Sequence, residues 1–195
     1  MNIQLIKEPF EYIIIDDFYD EKELADIREE ISGLVPILTT HNLMNDVPAY
    51  ENGQQLQTNA NSFFIDQHCK DRSRSKILTH NRKLFSMEVT EAAESLHPFF
   101  KHIRGCNSDW TMVNLYKNGG SYKAHQDMAV MSSVTFFDVG SYTGGEFCFP
   151  DYDVRVESKD NRVIIFAGCI KHMAEPIVAE DGNYRVSIAN FMNYK

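Results

Sequence analysis

The sequence holds no CxxC pair; its four cysteines, Cys69, Cys106, Cys148 and Cys169, are scattered through 195 residues. Neither a zinc finger nor a disulfide scaffold is indicated, and in a reducing compartment such thiols read as ordinary buried groups. Long apolar runs are equally absent. Val163-Ile164-Ile165-Phe166-Ala167 is far short of the roughly 20 residues a membrane helix needs. The opening Met1-Asn2-Ile3-Gln4-Leu5 reaches Glu8 and Glu11 without the basic and apolar regions of a signal peptide, which predicts cytoplasmic residence and no membrane partner. Basic residues are outnumbered, 19 against 28 acids, and the net charge of -9 repels phosphate backbones, so no nucleic-acid partner is expected. Repeats, low-complexity tracts and Pro/Gly/Ser linkers are missing too, and one domain over 1–195 is expected. What is present, 43% hydrophobic with 24% charged residues, is a globular composition able to bury a sizeable core.

One shift in rhythm divides the chain near residue 105. Before it, Tyr12 to Asp16 is a β-branched strand candidate. Asp20 with Glu23 forms a capping-box start for a helix with apolar positions Leu24, Ile27 and Ile31, which Gly33 is expected to stop. The stretch Thr39 to Ser62, rich in Asn, Gln and Thr, reads as a long loop. Phe85, Val89, Ala92 and Leu96 form a second helical stripe, ended by Pro98 and Gly105. Residues 1–105 thus read as helical support and loop.

From 106 the pattern changes to short β-rich runs: Thr111–Tyr116, Ser121–His125, Val130–Phe137, Glu146–Phe149, Tyr152–Glu157, Arg162–Ala167, His172–Ala179 and Tyr184–Met192. Asn118-Gly119-Gly120, Thr143-Gly144-Gly145 and Asp181-Gly182-Asn183 supply turns between several of them. Eight such runs suggest a jelly roll, with the N-terminal helices packed on one sheet in an α+β, mainly β whole.

Within this half, His125-Gln126-Asp127 places an imidazole and a carboxylate two residues apart, on one side of a strand. His172, 45 residues beyond Asp127, is the only other histidine in the β half. An antiparallel double sheet can return it beside the pair. Two imidazoles and one carboxylate with open positions suit a non-haem Fe(II) oxygenase, and zinc accepts the same ligands. Thirteen residues after His172, Arg185 and Ser187 alternate onto one face of a strand whose neighbours Val186, Ile188 and Phe191 predict burial. A buried guanidinium needs an anion: either a protein carboxylate or a bound one, gripped by two parallel hydrogen bonds with a hydroxyl supplying a third.

These residues resemble the 2-oxoglutarate and Fe(II)-dependent oxygenases, in particular the prolyl 4-hydroxylase-like group. The resemblance rests on Tyr116-Lys117-Asn118-Gly119-Gly120-Ser121-Tyr122-Lys123-Ala124-His125-Gln126-Asp127, on Thr143-Gly144-Gly145-Glu146-Phe147-Cys148-Phe149, on Gly168-Cys169-Ile170-Lys171-His172 and on the opening Tyr12 to Phe18. It implies a double-stranded β-helix, His125, Asp127 and His172 as iron ligands, and Fe(II), 2-oxoglutarate and O2 as cofactor and cosubstrates. It also implies Arg185 on the distal carboxylate of 2-oxoglutarate, Tyr116 in the cosubstrate pocket, where it could equally be a core aromatic, and Ser187 as a substitute for a tyrosine that the group carries where this chain has Phe136 and Phe137.

The implied activity is hydroxylation of an unactivated C–H, of a prolyl residue in a peptide or protein, with the 39–62 segment beside the substrate. A free amino acid or other small metabolite is the alternative substrate, and a non-catalytic jelly-roll binding module the alternative of another class. The nucleic-acid repair branch would call for an arginine where Phe191 stands, and a cupin isomerase for a His-x-His pair. Neither is found.

Overall fold

The computed structural model describes residues 1–40, 50–51 and 53–195, without the side chains of Thr40 and Glu51. Its framework is an antiparallel sheet that curls on itself. At the N-terminal edge, β1 (Asn2–Ile6) pairs with β2 (Tyr12–Asp16). The chain then forms α1 (Glu21–Thr40), a small hairpin of β3 (Tyr50–Glu51) and β4 (Gln54–Gln55), and β5 (Gln57–Phe64). Four short helices follow: α2 (Ile65–His68), α3 (Lys76–His80), α4 (Met87–Leu96) and α5 (Lys101–Gly105). The β half holds β6 (Ser108–His125), β7 (Met131–Val139), β8 (Tyr142–Gly144), β9 (Phe147–Phe149) and β10 (Val154–Val156). It ends with β11 (Val163–Ala167), β12 (His172–Ala174), β13 (Ile177–Ala179) and β14 (Tyr184–Asn193). Strand order is β1-β2-β11-β7-β14-β6-β12-β9-β10, with β5 also on β6, and β8 pairs with β13.

Long β6 makes the curl. Its first part lies between β14 and β5, while its end pairs with β12, where His125 stands opposite His172. Between the two parts, Gly119 takes φ +73, and a Cβ on Gly120 would lie 2.6 Å from the Lys117 carbonyl oxygen. The register of β5 slips opposite this kink, between Thr58 and Ala60. Irregular pairing of this kind bends a strand out of one layer into the next. The result is a squashed jelly roll, the double-stranded β-helix.

The apolar runs in β2 and β11 have no polar alternation because both faces of these strands are covered. Ile13, Ile15, Val163 and Ile165 pack toward the helices with Ile27, Ile31, Leu78 and Val89. Tyr12, Ile14, Ile164 and Phe166 point into the barrel beside Phe136, Phe147 and Phe149. The capping box forms: the Asp20 carboxylate accepts from the Lys22 and Glu23 amides, and the Asp20 amide donates to the Glu23 carboxylate at 3.0 Å.

Four expectations need correction. Gly33 does not stop α1, which runs on to Thr40, because packing of Leu38 outweighs the roughly 1 kcal/mol by which glycine disfavours a helix. The expected strands 111–116 and 121–125 are one strand, whereas 172–179 is two, interrupted at Glu175-Pro176. The polar stretch from 39 to 62 is not all loop: residues 57–62 belong to β5, where Gln57 and Ser62 are buried. Residues 41–49 and 52 lie outside the described residues. Finally, residues 1–105 supply more than helices and loop, since β1, β2 and β5 extend the sheet.

Ile165, fully buried between β2 and β7, reports on this core. Ile165→Ala is expected to destabilise by about 2–5 kcal/mol in urea unfolding, whereas Met87→Ala, at an exposed position, should stay within about 0.5 kcal/mol.

Candidate active site

His125, Asp127 and His172 offer ligand atoms that all lie within 4.8 Å of one another. Nε2 of His125 is 3.7 Å from one Asp127 oxygen, and Nε2 of His172 is 3.6 Å from the other. Donors bonded to one small ion at about 2.1 Å stand roughly 3 to 3.5 Å apart, so a slight contraction closes the set on a metal. Strand pairing brings the two histidines together. Strand alternation, however, does not place the aspartate: β6 ends at His125, and Asp127 is held beyond it by its amide, which donates to the Gly168 carbonyl at 2.9 Å. A Cβ on Gly168 would sit 2.1 Å from the Ala129 carbonyl oxygen, so this loop tolerates only glycine there.

The donor set suits a metal chemically. Nδ1 of His125 donates to the Lys123 carbonyl at 2.8 Å, and Nδ1 of His172 to the Ile170 carbonyl at 2.9 Å. A carbonyl only accepts, so both rings carry their proton on Nδ1 and turn the Nε2 lone pair toward Asp127. Ser132 Oγ donates to Asp127 Oδ2 at 2.6 Å. Tyr122 stacks on His125 with centroids 4.0 Å apart, and Phe147 and Phe166 enclose His172. Burial pushes the His172 pKa down to about 4, against the pull of the Asp127 charge. This ligand is therefore neutral at ordinary pH and has no proton to lose on binding a metal.

The triad opens on a cavity whose walls include Tyr116, Tyr122, Phe136, Arg185, Ser187 and Phe191. Arg185 is 1% exposed. No carboxylate pairs with it among the described residues: Asp138, opposite it in register, is taken by the Tyr142 hydroxyl at 2.6 Å. The Arg185 guanidinium lies 4.1 Å from the centre of the Tyr116 ring and donates through Nη1 to the Gly145 carbonyl, while its Nε is buried without an acceptor. The Gly-Gly turn makes room for it. A Cβ on Gly145, which has φ +77, would lie 2.8 Å from Nη1 and 2.6 Å from Ile177 Cγ2. Burial raises the Tyr116 pKa, opposed by the Arg185 charge, so the phenol stays protonated and able to donate.

The structure thus brings the six residues singled out in the sequence to one cavity. Tyr122 and Asn114 join them in the lining, and Ser132, Gln57 and Ser62 hydrogen-bond to lining residues from outside it. Asn114 alternates with Met112 and Tyr116 along β6 and could have been found from that spacing; Gln57 and Ser62 were hidden in a stretch that looked like loop. Outside the cavity, Phe64, Trp110, Phe191 and Met128 form an open apolar shelf, reached through Phe191, which lines both.

No family model and no curated protein matches this sequence. Solved structures do. A prolyl hydroxylase from Trichoplax adhaerens, in complex with a peptide fragment of the hypoxia inducible factor oxygen degradation domain, matches with a TM-score of 0.68 at 12% identity, over 93% of this chain and 83% of that one. A Pseudomonas putida prolyl-4-hydroxylase matches with 0.57 at 16%, over 94% and 92%. A 2OG-Fe(II) oxygenase family oxidoreductase from Burkholderia pseudomallei matches with 0.57 at 16%, over 93% and 84%.

Because the folded pKa of His172 lies below the ordinary value near 6.5, its contribution to stability is complete above that pH and is lost as pH falls toward 4. Metal-free protein should therefore show a urea midpoint that drops over this window, with a shallower drop in His172→Gln.

Among the described residues no helix is long and apolar enough to cross a membrane. The architecture, with its triad at the mouth of a curled antiparallel barrel, is the fold of the 2-oxoglutarate and Fe(II) oxygenases, prolyl hydroxylases among them.

Proposed function

We propose that this protein is a 2-oxoglutarate- and Fe(II)-dependent dioxygenase that hydroxylates an unactivated C–H bond, of a prolyl residue in a peptide or protein. The observation that carries the reading is a buried, carboxylate-free Arg185 in the same cavity as a His-Asp-His group. A non-catalytic module has no use for an unpaired buried guanidinium, which costs several kcal/mol. A bound acid removes that cost.

His125, Asp127 and His172 would hold the iron, which together with 2-oxoglutarate and O2 supplies the oxidation when bound. The remaining tasks fall to the chain. Carbonyls at positions 123 and 170 aim the imidazoles. Arg185 and Tyr116 grip the far carboxylate of the acid, and Phe136, Phe147 and Ala189 keep the walls apolar. No separate acid or base is required of the protein.

Two observations favour a peptide. Neighbours in fold include prolyl hydroxylases, one of them in complex with a peptide. In addition, the open apolar shelf of Phe64, Trp110 and Met128 adjoins the cavity at Phe191 and offers surface for residues that flank a prolyl side chain. A small metabolite held wholly within the cavity is the second reading, favoured by how closely the lining side chains approach one another there.

His125→Ala and Asp127→Ala should each abolish stoichiometric metal binding in calorimetry; full binding by either variant would remove the site. With iron, wild-type protein should release succinate from 2-oxoglutarate, and Arg185→Ala should raise the 2-oxoglutarate requirement by about 100-fold, with Arg185→Lys in between because it keeps the charge and loses the fork. Peptide and metabolite panels, read by mass for one added oxygen, decide the substrate. If a peptide is modified, Trp110→Ala should raise its KM with little change in kcat.

A further inference from the structure

From the cavity wall back to β5 runs a line of four buried polar side chains from three strands. Gln57 and Ser62 lie on β5, Asn114 on β6 and Ser187 on β14, and none is more than 3% exposed. Gln57 Nε2 donates to Ser62 Oγ at 2.7 Å and, more weakly, to Asn114 Oδ1 at 3.4 Å. Ser62 Oγ donates to Asn114 Oδ1 at 2.5 Å. Asn114 Nδ2 reaches Ser187 Oγ at 3.4 Å.

The line has a direction. A serine hydroxyl owns one proton, so once Ser62 accepts from Gln57 its own proton goes to Asn114. That fixes the Asn114 amide with its oxygen toward Ser62 and its nitrogen toward Ser187. Ser187 then accepts, and its proton is left for the cavity side, where the Tyr116 phenol or a bound acid can take it. The reverse direction would require turning the Gln57 amide, which would strand two buried N–H donors; as arranged, the only orphan in the line is the Gln57 Oε1 acceptor. Buried orphan acceptors are tolerated better than orphan donors.

The Ser187 hydroxyl and the Arg185 guanidinium, which can only donate, both neighbour the Tyr116 phenol, whose own proton is then free to turn into the cavity. Such a donor-rich end of a cavity is complementary to a deprotonated carboxylate.

We propose that Gln57, Ser62 and Asn114 are positioning residues that orient the Ser187 hydroxyl as a donor to the carboxylate held by Arg185. They thereby set the preference of the cavity for a 2-oxo acid with a second carboxylate. The inference rests on the reading of the cavity as an oxo-acid site. It gives β5, which lies outside the 106–195 half, a part in recognising the acid, acting through Ser187 without touching it.

The test uses full-length protein loaded with Zn(II), which accepts the same ligands and does not turn over. Calorimetry compares 2-oxoglutarate with 2-oxopentanoate, which keeps the oxo-acid end and lacks the distal carboxylate. Ser62→Ala should weaken 2-oxoglutarate about tenfold, equivalent to roughly 1.4 kcal/mol, and leave 2-oxopentanoate within about twofold, the size expected for one charge-assisted hydrogen bond. Ser62→Thr, which keeps the hydroxyl, should restore the preference. Gln57→Met, close in volume, should weaken 2-oxoglutarate selectively even if Ser62→Ala fails to fold.

Equal losses for both acids would mean the line only supports packing, and no loss would mean Ser187 orients itself; either overturns the proposal. Wild-type protein that binds the two acids equally, or neither, overturns the oxo-acid reading of the cavity and the relay with it. A selective loss in the variants, on a wild type that prefers 2-oxoglutarate, supports both.

Discussion

A positive charge buried without a carboxylate is the constraint around which this molecule is arranged. Arg185 sits on β14, between β7 and β6, almost wholly shielded from bulk water, and the usual remedy of a neighbouring acid is withheld because Asp138 is engaged by Tyr142. The surrounding sequence answers that one group. Gly145 has to lack a side chain so that its carbonyl can take Nη1, Tyr116 offers the face of its ring, and the strand opposite carries Phe136 where a polar residue could have competed. The arrangement is costly in the empty protein and becomes favourable when an anion enters, which is how a binding site differs from a piece of core.

Much of this was legible in the sequence because it depends on residue types at fixed spacing. His125, Asp127, His172 and Arg185 carry chemistry that a packed core has little use for, and the glycine turns mark the positions where the backbone must pass closely. The helix start at Asp20 was legible for the same local reason. Its end was not: Gly33 is a local signal, and tertiary packing beyond it prevailed. The β5 strand was misread because Gln57, Ser62 and Asn61 find partners inside the protein, so their polarity did not mean exposure. Composition cannot distinguish a polar residue facing water from one facing another polar residue across a sheet. Ser132 was missed as well, its hydroxyl reaching Asp127 from the start of β7, five residues on.

The kink in β6 connects these observations. One strand carries Asn114 and Tyr116 in the layer that holds Arg185, turns at Gly119-Gly120, and delivers Tyr122 and His125 to the layer that holds His172. One metal ligand, His125, and the acid-end groups Asn114 and Tyr116 therefore share a single stretch of backbone. For His125 and Tyr116 the separation is set by the length of that stretch and the bulge within it, while His172 and Arg185 are brought in by the pairing of β12 and β14 with β6.

The backbone carbonyls that aim the two histidines have a consequence in charge. Because Nδ1 of each ring faces a neutral acceptor, no second carboxylate stands behind the ligands. A dication held by two uncharged imidazoles and the single Asp127 carboxylate would keep one unit of positive charge, and Arg185 adds another. The cavity as a whole would then carry two positive charges in apolar surroundings, a mismatch that a monoanion only half corrects. A small dianion long enough to touch both ends would bring the interior to neutrality.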